Sequence, residues 1–223
     1  MWDFVLKMLI TSDFHGNSKA FQKIGFKAKE NNVDMLIVCG DITQFGTLQQ
    51  VKDLLSILAS IKLPLLYVLG NTDPLISAEE AKIEGATYIH STFKMANNLV
   101  ILGVGNTTTR QFYVPEEDIL QILNDVFSSC PKTGHGIVLI SHFPPKNTRV
   151  DLAHIGGHVG SLSLRKFIEE KQPLAVFCGH IHESRGIDRI GDTIIVNPGP
   201  ASHGYYALAN LNRKIEVELC EGA

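Results

Sequence analysis

The sequence predicts an α/β sandwich, two packed sheets with helices on their outer faces. Three observations point there. Apolar runs of four to seven residues recur without alternation, as in strands covered on both faces. Longer segments of mixed polarity separate them, the pattern of parallel βαβ units. The last part of the chain turns β-rich, which adds antiparallel strands or a second sheet.

Taken in order, Val5–Thr11 reads as a first strand and Ser18–Asn31 as a helix. Met35–Cys39 and Thr47–Ser60 repeat that pair, as do Leu65–Leu69 and Ala78–Glu84, the latter with a Ser77…Glu80 capping box. Strand-like runs come next at Thr87–His90 and Leu99–Val104. A helix is expected over Pro115–Ser128, with proline at its first turn. Ile137–Ile140, Ser161–Lys171 and Leu174–Phe177 read as strand, helix and strand. The tail from Ile187 to Leu219 holds three or four strands, with turn signals at Gly191-Asp192, Pro198-Gly199-Pro200 and Asn212-Arg213. Phe143 to Gly160 fits no element. Structureless stretches longer than ~12–15 residues are uncommon and often functional.

With 223 residues and no linker or repeat, the chain is expected to form one domain over 1–223. Hydrophobic residues make up 44%, which argues against disorder, and the net charge of −3 argues against a long nucleic-acid partner. No apolar run reaches the ~18 residues of a membrane span. The N-terminal run carries Asp3 and Lys7 and lacks a signal-peptide cleavage pattern. Cys39, Cys130, Cys178 and Cys220 form no C-x-x-C pair, so a thiolate zinc site is not expected. Buried, reduced cysteines at Cys39 and Cys178 suit a cytoplasmic location.

The chemistry lies at the strand ends. Asp13 and His15 stand just past the first strand, Gly40-Asp41 past the second and Gly70-Asn71 past the third. His142 comes directly after Ile137–Ser141, and Gly179-His180 with His182 after Leu174–Cys178. Single fragments of this kind are common, as Gly191-Asp192 and Gly105-Asn106 show; an ordered series on successive strand ends is not. Ligands of α/β sheets bind at the carboxyl ends of strands, so the set converges on one edge. Imidazoles and carboxylates suit manganese, iron, zinc or nickel. Two such ions ~3.5–4 Å apart can clamp both oxygens of an in-line displacement, with Asp41 as the natural bridging carboxylate. Two divalent ions, less Asp13, Asp41 and a bridging hydroxide, leave a positive site that attracts phosphate despite the acidic total.

Asp13-Phe14-His15, Gly40-Asp41, Gly70-Asn71-x-Asp73, His142 and Gly179-His180-x-His182 together resemble the calcineurin-like metallophosphoesterase family. The resemblance implies a four-layer αββα sandwich with two mixed sheets. It further implies one metal on Asp13, His15, Asp41 and His182 and a second on Asp41, Asn71, His142 and His180. Manganese is the expected metal, with iron, nickel or zinc as alternatives. Where the family usually places a general-acid histidine after the asparagine, this chain has Thr72, whose hydroxyl cannot act as an acid near neutral pH. Three readings result: the substrate has a good leaving group, another histidine substitutes, or the site serves metal-dependent binding.

His158, in Gly156-Gly157-His158, is the expected catalytic and substrate-binding substitute, ahead of His154 and His203. Asn71 and Thr72 are expected to contact substrate. Arg110, Lys146 and Arg149 are further phosphate contacts to weigh against ordinary surface charge. The expected activity is hydrolysis of a small phosphoric ester, a phosphodiester before a monoester, by a hydroxide bridging two metals. A phosphomonoesterase or protein phosphatase is the alternative within enzymes, and a non-catalytic scaffold for protein partners the alternative outside them. No membrane partner is expected, and homo-oligomerisation is left open.

Overall fold

The computed structural model describes residues 6–77, 79–105, 115–131, 136–154, 156–211 and 214–223. In chain order the elements are β1 (Leu6–Thr11), α1 (Ser18–Glu30), β2 (Met35–Cys39), α2 (Leu48–Ala59), β3 (Leu65–Val68), β4 (Thr87–Tyr88), β5 (Thr92–Ala96), β6 (Leu99–Val104), α3 (Glu116–Ser129), β7 (Gly136–Ser141), α4 (Leu162–Lys171), β8 (Ala175–Phe177), β9 (Gly186–Ile190), β10 (Thr193–Asn197), β11 (Tyr206–Leu211) and β12 (Ile215–Cys220). One sheet has the order β12-β11-β1-β2-β3-β4 and the other β5-β6-β7-β8-β10-β9. Each is mixed: β1, β2 and β3 run parallel while β11 pairs antiparallel with β1, and β6, β7 and β8 run parallel while β5 and β9 are antiparallel edges.

Side-chain alternation builds four layers from these two sheets. Met8 and Ile10 point inward to meet Ile101, Val138, Ile140 and Phe177 of the other sheet, while Leu9, between them, points outward. On that outer face Leu9, Leu36 and Tyr67 pack against Phe21 and Ile24 of α1 and Val51, Leu55 and Leu58 of α2. Leu102, Leu139 and Val176 do the same for Leu123 of α3 and Phe167 of α4. The fold is therefore the αββα sandwich with two mixed sheets. Among the described residues no helix is long and apolar enough to cross a membrane.

The helices start where their caps dictate. Asn17 accepts from the Ala20 N–H to open α1, Thr47 and Gln50 form a reciprocal capping box on α2, and Ser161 accepts from Leu164 at α4. Glu116, Glu117 and Asp118 occupy the first turn of α3, at the positive end of its dipole.

Two elements differ from the sequence reading. The capping box at Ser77 and Glu80 forms, with Glu80 N–H on Ser77 Oγ at 3.3 Å and Ser77 N–H on the Glu80 carboxylate at 2.9 Å. The described residues after it nevertheless make only one turn, closed by Ala81 N–H on Ser77 O at 3.0 Å, before Ile83 pairs with Ala86. A cap supplies a start, and this segment lacks the apolar face that tertiary packing needs to sustain a helix. The strand β5 was not expected. It is a half-exposed edge, so burial leaves little mark on its sequence; Asn97, left-handed in the turn to β6, was the available signal. Phe143 to Gly160 holds no helix or strand among its described residues.

Candidate metal centre

The loops after β1, β2, β3, β7 and β8 zip together at one end of the sandwich. Asp13 N–H donates to Gly40 O and His15 N–H to Asp41 O, both at 3.0 Å, and Gly179 N–H donates to His142 O at 3.0 Å. Asp13, His15, Asp41 and His180 all adopt left-handed backbone conformations, with φ of 57°, 48°, 51° and 70°. Such conformations are unfavourable for non-glycine residues and persist where surrounding structure imposes them, often at functional sites. The glycines before the candidate ligands permit the close approach. A Cβ at Gly70 would collide with Asp41 Oδ1, and one at Gly179 with Ser12 Oγ.

Two groups of donor atoms result. Asp13, His15 and His182 offer three atoms within 4.8 Å of one another, and Asp41, His142 and His180 offer three more. In the first group His15 Nε2 and His182 Nε2 are 3.0 Å apart, and His182 Nε2 is 3.4 Å from Asp13 Oδ1. In the second, His142 Nδ1–H donates to Cys39 O at 2.8 Å, and its Nε2 lies 2.9 Å from Asn71 Oδ1 and 3.6 Å from Asp41 Oδ1. Asp41 joins the groups, since its other oxygen is 3.8 Å from His15 Nε2.

Burial and the groups' own charges set their protonation. Burial would raise the Asp13 carboxyl, but its hydrogen bond to His182 and the fields of His142 and His182 outweigh it and hold the group below the ordinary range. His182 is raised, chiefly by Asp13. Burial, then the neighbouring His142, pushes His180 down to about 4, so its imidazole is neutral and able to donate a lone pair at neutral pH.

Several residues position this centre. Asp73 is buried and accepts from the N–H groups of Ile42 (3.1 Å), Thr43 (2.7 Å) and Gly70 (3.0 Å), binding the loops that carry Asp41 and Asn71 to each other. Burial and then the charge of Asp41 push its carboxyl up to about 6. Thr72 is buried: its N–H donates to Asp41 Oδ1 at 2.9 Å and its hydroxyl to Thr43 O at 2.7 Å. Asn197, which the sequence reading did not single out, donates to Ile181 O at 2.9 Å between His180 and His182. Its only signal was its place at a strand end before Pro198.

The remaining candidates lie outside the two groups. His158 Nδ1 donates to Asp151 Oδ1 at 2.7 Å. His154 and His203 are exposed, as is Arg149, whose N–H reaches Asp188 at 2.7 Å; Lys146 is half-buried. Arg110 and Asn106 lie outside the described residues. Gly191-Asp192 is the turn between β9 and β10.

The model for the calcineurin-like phosphoesterase superfamily domain matches residues 6–210. The chain belongs to that superfamily. In structure it is similar to TT1561 of Thermus thermophilus, 20% identical, with 96% of this chain and 99% of that one covered and a TM-score of 0.74. It is also similar to a dimetal phosphatase from Danio rerio, 12% identical, with 97% and 96% covered and a TM-score of 0.70. In sequence it is 35% identical over 205 residues to the MJ1162 protein of Methanocaldococcus jannaschii, 90% of this chain and 91% of that one.

The superfamily's divalent metals suit this donor set. His15 Nε2 and His182 Nε2, 3.0 Å apart, are close enough to ligate one ion together. His142 Nε2, Asn71 Oδ1 and Asp41 Oδ1 converge within reach of one cation.

Proposed function

We propose that this calcineurin-like phosphoesterase hydrolyses a small phosphoric ester, a phosphodiester before a monoester, using two divalent ions, manganese foremost. The observation that carries the reading is Asp41, whose two oxygens face separate donor groups. Asp13, His15, Asp41 and His182 would hold one ion, and Asp41, Asn71, His142 and His180 the other. Such ions supply Lewis acidity and lower the pKa of water toward ~7.

The chain's own residues set what remains. Thr72 N–H holds Asp41 in place, and its hydroxyl is committed to Thr43 O. No proton donor therefore stands where the family usually has one, which favours a substrate whose leaving group the site can release by other means. A net charge of −3 favours a small substrate over long nucleic acid.

Purified protein with manganese should cleave bis(p-nitrophenyl) phosphate faster than p-nitrophenyl phosphate, and Asp41→Asn should abolish both activities. Faster cleavage of the monoester would make the protein a phosphomonoesterase. Cleavage of neither ester would favour a metal-dependent scaffold for protein partners.

A further inference from the structure

We propose that Asp151 and His158 form a proton-donating dyad beside the metal centre, in which the carboxylate orients the imidazole that protonates the leaving group. This rests on the hydrolytic reading above and names the residue that would supply what Thr72 does not.

The segment 143–160 is built around the Asp151 carboxylate. Asp151 is fully buried and accepts from Asn147 N–H (3.1 Å), Thr148 N–H (2.8 Å), the Thr148 hydroxyl (3.2 Å) and Gly160 N–H (3.0 Å). The His158 ring is its fifth donor, through Nδ1–H at 2.7 Å. Burial would raise the Asp151 carboxyl; the His158 hydrogen bond and the backbone donors outweigh it, so the group is ionised at neutral pH. An imidazole anchored this way has a fixed tautomer and orientation, and Nε2 becomes the atom that exchanges a proton. The His158 side chain is 41% exposed, so the ring is fastened inside and open outside. A Cβ at Gly156 or Gly157, just before it, would meet nothing within 4 Å.

Contacts place this dyad against the metal-centre turn. Leu152 pairs with His158 across a short antiparallel bridge. The Leu152 carbonyl accepts from the Ser184 hydroxyl at 2.5 Å, and His154 N–H donates to the Glu183 carboxylate at 2.7 Å. His182, Glu183 and Ser184 form one 3-10 turn, so the strip bearing His158 is pinned at two points to the turn that starts with His182.

In the proposed step, oxygen from water forms a new bond to phosphorus and gives up its proton to solvent, while the bond to the leaving oxygen breaks. That oxygen keeps the electron pair and takes the Nε2 proton of the His158 imidazolium. The neutral ring recovers a proton from solvent.

The test compares two diesters with manganese present: bis(p-nitrophenyl) phosphate, whose leaving phenolate needs little help, and diphenyl phosphate, whose leaving phenolate does. In His158→Gln the kcat ratio of diphenyl to nitrophenyl ester should fall by ~10²-fold or more, with KM little changed. An unchanged ratio overturns the dyad while leaving the hydrolytic reading intact. If wild-type protein cleaves neither ester, both fall together. Because replacing Asp151 could unfold the segment, the dyad itself is read in the metal-free wild-type protein by ¹⁵N NMR of the His158 ring. The neutral ring should be the Nδ1–H tautomer; an Nε2–H tautomer overturns the proposal.

Discussion

His15 Nε2 and His182 Nε2 stand 3.0 Å apart across 167 residues of sequence, the first just past β1 and the second just past β8. One proton between them could make this contact a hydrogen bond. One divalent cation would make it a pair of ligands, and Asp13 lies close enough to complete the set.

Metal binding should therefore raise the folding stability. At free manganese 100-fold above its dissociation constant, the gain is about 2.7 kcal/mol, or roughly 5–11 °C in melting temperature for a chain of this size. Thermal melts in chelator and in manganese check this. An unchanged melting temperature would argue against a site on His15 and His182.

Asp41→Asn should lower manganese affinity by at least about 100-fold, since it removes a charge shared by both donor groups. Titration calorimetry measures the affinity. Circular dichroism should show the fold retained, because Asn can still accept from the Thr72 N–H.

Asp73→Ala should destabilise the protein by roughly 3 kcal/mol or more, because it strands the buried N–H groups of Ile42, Thr43 and Gly70. Urea unfolding of the metal-free protein reads this directly. The same variant should bind manganese more weakly, since Asp41 and Asn71 lose their tie.

Gly70→Ala and Gly157→Ala form a matched pair. The first places a methyl against Asp41 Oδ1 and should cost metal affinity and stability together, while the second meets open space and should change stability by less than about 0.5 kcal/mol. Paired melts with and without manganese separate the two.

His90 should make the fold acid-sensitive. It accepts from Gly105 N–H through Nδ1 at 3.1 Å, and burial pushes it down to about 4 from an ordinary 6.5. The unfolded chain then binds a proton first as pH falls. The stability held by neutral His90 is full above 6.5 and is lost progressively between 6.5 and 4, by up to about 3 kcal/mol. His90→Gln should flatten that part of a stability–pH curve measured by urea unfolding.

Much of this was legible in the chain. The apolar runs at Met35–Cys39 and Leu99–Val104 match β2 and β6 because a strand covered on both faces is apolar without interruption. The segment after Ser77 misled because a cap is local and a helix is not. The edge strand β5 escaped because it is half in solvent. Asp151 escaped for another reason: a single acidic residue in an irregular loop carries no periodicity, and its meaning comes from five donors that only folding assembles.

By itself the sequence determined the layered α/β class and which residue types stand at each strand end, since burial and hydrogen-bonding chemistry are written residue by residue. Only the tertiary structure decided which donors meet, that Asp41 faces both groups, and that Asp151 holds His158. Those are relations between loops far apart in the chain, and they exist only once two sheets have packed and brought one set of strand ends together.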